Sequence, residues 1–170
     1  TLYTTLKDQI FENQVNWKMV CDVPDSVVSF TQFGEDIYLI SAYKAPRYKV
    51  VRTKMDQPDF TNAEVIFPPA ELVYRYASRT KDRLYFSALD GGYNRLIEYD
   101  PITGNQHRLD LPENESAYII SSNTNHTEIF LRSASWIHAG RIQVYDHGES
   151  TFKVLNLEPP GKFDNPEGLT

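Results

Sequence analysis

The sequence predicts an all-β protein in which one four-stranded antiparallel unit recurs along the chain. Three observations carry this. Apolar residues come in runs of four to six, rich in Val, Ile, Tyr and Phe and separated by Gly, Pro, Asp and Asn clusters, which is the grammar of strands and turns. No stretch of a dozen residues shows the apolar stripe of an amphipathic helix. The strand pattern also repeats every 44 to 47 residues, the length of a four-stranded β-propeller blade.

The elements follow in order. Residues 1–8, TLYTTLKD, read as a third strand ending in aspartate, and 16–22, NWKMVCD, as a fourth, so 1–22 is the outer half of a blade. Full blades then occupy 23–68, 69–112 and 113–159. Their first strands are 26–31, 72–78 and 117–122, and their second strands 36–41, 82–87 and 127–132. Third strands 49–56, 95–100 and 141–146 end at Asp56, Asp100 and Asp146, and fourth strands 63–68, 106–112 and 152–159 stop at Pro68, Pro112 and Pro159.

The turns have a mechanism. Gly91-Gly92 turns a second strand into a third. In YDPITGN, Asp100 can accept from its own downstream backbone, Pro101 presets φ and Gly104 can take the left-handed position; YDHGES repeats the device with Gly148. A chain that starts with two outer strands reads as a fragment whose inner strands lie upstream. The Pro- and Gly-rich 160–170 reads as a linker.

Composition excludes several classes. With 41% hydrophobic residues there is apolar area for a packed interior, and global disorder is excluded. The net charge is −6 and the basic residues are scattered singly. No stripe can neutralise a row of phosphates, so neither nucleic acid nor an anionic membrane is a partner. Apolar runs such as IYLI are too short to span a bilayer, and residues 1–20 show no signal-peptide pattern. Cys21 is the single cysteine and excludes an internal disulfide. The compartment reads as cytoplasmic or periplasmic, and the sequons at Asn114 and Asn125 as chance matches.

The chain has no recognisable reaction centre. G-x-S-x-G, H-E-x-x-H, C-x-x-C and a D-x-D-x-D-G calcium loop are all absent. Cys21 belongs to a predicted strand as core packing, and His107, His126, His138 and His147 fall on turns or outer strands, where solvation is expected. No metal or cofactor is implied, and LDGGYN has no helix behind it to hold an anion. The remaining candidates lie on first strands, which line the central channel of a propeller: Val27, Val28, Tyr74, Arg75, Tyr76, Tyr118 and Ile119. Alternation puts Tyr74 and Tyr76 on one face, packing between blades, and Arg75 on the other. The channel-lining candidates singled out are Arg75, Tyr74 and Tyr118.

The segment GEDIYLISAYKAPRYKVVRTKMDQPD, residues 34–59, resembles the propeller of the prolyl oligopeptidase family of serine peptidases. Asp36, Tyr38, Ala45, Pro46, Arg47, Val50, Val51, Arg52 and Pro58 stand in matching positions, while Ser41 and Tyr48 depart from the pattern. The resemblance implies a seven-bladed propeller, of which this is the C-terminal three and a half blades, followed by an α/β-hydrolase domain. It implies a non-catalytic gate restricting access to short peptides, inactive alone, whose partners are the absent blades and hydrolase domain. The alternative is a stand-alone propeller serving as a protein- or ligand-binding scaffold. A lactonase- or lyase-like propeller is disfavoured because the first strands are apolar or aromatic. Open blade faces are expected to promote self-association.

Overall fold

The computed structural model describes residues 1–111, 115–136, 139–157, 159 and 161. Its strands are β1 (Leu2–Thr4), β2 (Lys18–Cys21), β3 (Val27–Phe33), β4 (Asp36–Ser41), β5 (Lys49–Lys54), β6 (Glu64–Phe67), β7 (Val73–Arg79), β8 (Leu84–Asp90), β9 (Tyr93–Tyr99), β10 (Gln106–Arg108), β11 (Ser116–Ser122), β12 (Glu128–Ala134), β13 (Arg141–Asp146) and β14 (Thr151–Leu155). They form a two-stranded sheet, β1-β2, and three four-stranded sheets in simple chain order, β3 to β6, β7 to β10 and β11 to β14. The fold class read from the sequence is therefore the one observed: repeated four-stranded sheets, part of a propeller. The chain divides into two compact units, Thr1–Ala77 and one starting at Ser78.

In the first unit Val20 turns inward with Leu2 from the β1-β2 pair. They pack on Ile37, Leu39 and Val51, with Val27, Met55, Phe60 and Ala63 around them. Cys21 is buried at 5% exposure, a packing residue as its strand position implied. Residues 1–8 do not form one strand: β1 ends at Thr4 and Asp8 lies in a 3-10 helix, Lys7–Phe11. Its first turn closes where Gln9 N–H donates to the Leu6 carbonyl at 3.0 Å, a local bond that competes with strand pairing. A second 3-10 turn, Val23–Asp25, is capped reciprocally: Asp22 accepts from Val23 N–H at 2.8 Å, and its own N–H donates to Asp25 Oδ2 at 2.8 Å.

The second unit is held by Tyr85, Leu96 and Leu109 packed against Ala117, Ile129, Leu131 and Tyr145. Each leucine or isoleucine among them contributes roughly 1.5–3 kcal/mol by leaving water. The β8-β9 hairpin turns at Gly91 (φ +55°) and Gly92 (φ +94°); two successive positive φ values match the strands' twist and favour glycine. Asp100 accepts from Ile102 N–H at 2.9 Å and Gly104 is left-handed at φ +76°, as its turn chemistry predicted. The later turn differs. Asp146 accepts from Gly148 N–H at 2.9 Å, but Ser150, not Gly148, takes the left-handed position at φ +51°. β10 is shorter than expected, ending at Arg108; Leu109 N–H donates to the Leu96 carbonyl at 2.9 Å and its side chain enters the core. Pro112, the expected end of that strand, and most of 160–170 lie outside the described residues.

Candidate functional site: the exposed inner strands

The first strand of each four-stranded sheet, β3, β7 or β11, has one sheet neighbour and keeps part of its surface in solvent. In β3, Thr31 is buried at 8% exposure, whereas Val28 and Phe30 are about half exposed at 53% and 52%. Ser29 is fixed by accepting a hydrogen bond from Ala77 N–H at 3.1 Å. β3 and β11 each carry a register shift, between Val27 and Ser29 and between Ile119 and Ser121. Such a shift interrupts strict two-residue alternation and re-aims side chains.

The three singled-out candidates separate. Tyr74 is buried, its ring stacked on Phe67 with centroids 5.3 Å apart and planes 15° from parallel. Burial pushes its phenol above the ordinary tyrosine range. Tyr74 thus lines no solvent-filled surface within its unit; it anchors β7. Arg75, its neighbour, is exposed and has no ion pair among the described residues. Tyr118, on β11, is also exposed.

Tyr76 does not share the environment of Tyr74. Arg75 and Tyr76 are consecutive exposed residues, so the alternation expected for β7 breaks after Tyr74 and Tyr76 is not packed. Sequence reasoning also passed over Phe30 and Ile120, which are half exposed. Apolar side chains in a strand default to the core when read from pattern alone, and a register shift has no reliable sequence signal.

Tyr118 stands beside a cavity of about 420 Å³ lined by Gly91, Gly92, Tyr93, Ser116 and Trp136. Polar bonds join the strands beside the cavity. Asn94 N–H donates to Ser116 Oγ at 3.0 Å, the Asn94 side-chain amide donates to the Ala117 carbonyl, and Ser87 Oγ donates to Asn94 Oδ1 at 2.8 Å. Arg95 Nη1 donates to the Glu115 carbonyl at 2.7 Å, and its guanidinium lies 4.9 Å from the centre of the Tyr93 ring.

Deeper in the second unit, Glu98 is buried at 5% exposure, with Arg83 Nε at 3.7 Å and His107 Nδ1 at 3.9 Å. Burial first, and then the Glu98 carboxylate, push the Tyr145 phenol up to about 12 and raise Tyr85 as well. His147 corrects the expectation of solvated histidines. Its side chain is 12% exposed and its Nε2 lies 3.0 Å from Asp82 Oδ2, because the β13-β14 turn and the turn before β8 meet there. His107 and His126 are exposed, and His138 lies outside the described residues. Among the described residues no three His, Cys, Asp or Glu side chains are gathered to hold a metal ion.

The family model of the prolyl oligopeptidase N-terminal beta-propeller domain matches residues 7–155. Among curated proteins none matches significantly. Solved structures do. One, from a study of two prolyl endopeptidases and the role of inter-domain dynamics in catalysis and specificity, superposes with a TM-score of 0.73 at 12% identity, covering 85% of this chain and 21% of that one. Prolyl oligopeptidase B from Galerina marginata gives 0.68 at 17% identity, covering 89% and 22%. Oligopeptidase B from Trypanosoma brucei, closed with covalently bound antipain, gives 0.65 at 16% identity, covering 74% and 19%. At these identities the structures show the fold. The chain spans about a fifth of their length.

Proposed function

The chain belongs to the prolyl oligopeptidase family, by its N-terminal β-propeller domain, and from that premise we propose that it is a non-catalytic part of a gate through which short peptides reach a separate hydrolase domain. The observation that carries this reading is the chemistry of the exposed inner strands. Each keeps apolar or aromatic side chains in solvent, Val28 and Phe30, Tyr76, and Tyr118 with Ile120, and β7 adds the exposed Arg75, which has no ion pair among the described residues. Aromatic faces grip extended peptides without demanding one sequence, and a guanidinium favours a carboxylate. Tyr74 supports this by fixing β7 through its stack on Phe67. The sequence carries no nucleophile elbow, in keeping with chemistry supplied elsewhere in a longer parent.

The test compares cleavage of a short peptide and of an unfolded protein by the full-length parent, with and without Arg75→Ala and Tyr118→Ala. The gate predicts a changed KM for the short peptide at unchanged kcat, and no hydrolysis by the 170-residue chain alone. Variants that leave both substrates unaffected, or a parent with no hydrolase domain, would favour a binding scaffold. Taken alone, the chain self-associates through open sheet faces. Tyr3, Trp17 and Met19 are exposed around β1-β2, as are Phe130 and Val154 on β12 and β14. Light scattering that gives a monomer mass at high concentration would refute this.

A further inference from the structure

The loop between β4 and β5, residues 42–48, is a rigid platform. Ala45 N–H donates to the Ala42 carbonyl at 3.0 Å and Tyr48 N–H to the Ala45 carbonyl at 2.8 Å, stacking one turn on the next. Ala45 is buried at 1% exposure, and Ser41 Oγ accepts from Tyr43 N–H at 2.9 Å while donating to the Asp25 carbonyl. Lys44 (φ +52°) and Tyr48 (φ +65°) both adopt the left-handed region, uncommon for bulky side chains and found where the surroundings over-determine a shape.

What this platform presents is positive charge. From Tyr43 to Met55 the sequence has five basic residues and no acidic one, in a chain of net charge −6. Arg52 and Lys54 are neutralised by Asp36 and Glu64. Lys44, Arg47 and Lys49 pair with no carboxylate among the described residues; Arg47 Nη1 donates instead to the main-chain carbonyl of Glu71 at 3.2 Å. The Lys44 and Lys49 ammonium groups lie 5.0 and 5.6 Å from the centre of the Tyr43 ring, which collects them about one half-exposed aromatic.

We propose that this loop docks a short acidic peptide segment, a run of Asp or Glu side chains. Two cations on a fixed loop, Lys44 and Arg47, with Lys49 at the start of β5, match a few separate carboxylates. A nucleic acid would need a longer row of cations and would meet the net negative charge of the rest of the chain. The proposal is independent of the gating reading, since it concerns a loop rather than the inner strands, and either can fail without the other.

The experiment is fluorescence anisotropy of labelled hexaglutamate titrated with the 170-residue chain, in 20 and 150 mM salt. Hexaglutamine and a labelled six-base oligothymidylate serve as competing probes. Hexaglutamate is expected to bind, hexaglutamine not to bind, and affinity to fall severalfold at the higher salt as the Debye length shortens to about 8 Å. The double variant Lys44→Gln with Lys49→Gln is expected to lose about ten-fold in affinity with an unchanged thermal melt, while Lys81→Gln retains it. No binding of hexaglutamate, an equal loss in Lys81→Gln, or tighter binding of the oligothymidylate would each overturn the proposal. Should the double variant melt early, Arg47→Gln provides the same test with both lysines in place.

Discussion

Asn94 ties two sheets of the second unit together, and its replacement tests how that seam is held. Its side chain is buried at 6% exposure, accepts from Ser87 Oγ at 2.8 Å and donates to the Ala117 carbonyl, so it links β8 and β9 to the inner strand β11. Asn94→Ala removes both bonds. Each is worth about 1 kcal/mol net, and a buried partner left unpaired costs about 1–3 kcal/mol. The Asn94 N–H bond to Ser116 Oγ survives the substitution. Allowing the Ser87 hydroxyl to find another acceptor, the expected loss is about 2–4 kcal/mol, a large share of the roughly 5–15 kcal/mol available to a domain. Urea unfolding followed by circular dichroism measures it, and a double-mutant cycle with Ser87→Ala isolates the hydroxyl-to-amide bond. A loss under about 1 kcal/mol, or strictly additive single changes, would refute the claim that this bridge holds β11 in place.

Three further outcomes are expected. Gly92→Ala has open space around the new Cβ but sits at φ +94°, so it should cost about 1–2 kcal/mol in a thermal melt through backbone strain alone. Tyr145 and Tyr85 are held neutral in the folded state, Tyr145 up to about 12 against an ordinary value of 10.0. The unfolded chain therefore loses those protons first, and the stability they supply is complete below pH 10 and drains away as pH rises towards 12. Denaturant midpoints across that range should fall, and ultraviolet titration should show these two phenols ionising above the ordinary value of 10.0. The Cys21 thiol is raised first by burial and then by Asp25, so a disulfide reagent should label it slowly in the native protein and fast in denaturant; rapid native labelling would show that β2 is not packed.

Strand and turn are largely local matters, and the sequence by itself determined most of them, 1–8, the end of β10 and the Gly148 turn excepted. β4 and β13 begin and end at the residues their apolar runs mark, because runs of Val, Ile, Leu and Tyr bounded by polar turns leave the backbone few alternatives. The 44-to-47-residue repeat led to the blades, since a repeated unit must bury the same faces each time. The DIYLI strand with its APRYK turn made the family legible.

Tertiary structure alone decided which side of an inner strand meets solvent. Tyr74 and Tyr76 are the same residue type two positions apart, yet one stacks on Phe67 and the other is 66% exposed. The difference depends on what lies opposite each ring, which no local pattern encodes. His147 beside Asp82, Asn94 bridging to Ala117 and the cations gathered about Tyr43 belong to the same class. The first two pairings join residues far apart in sequence, and the third depends on left-handed backbone at Lys44 and Tyr48. Such geometry is settled only when packing repays the loss of chain entropy that brings the groups together.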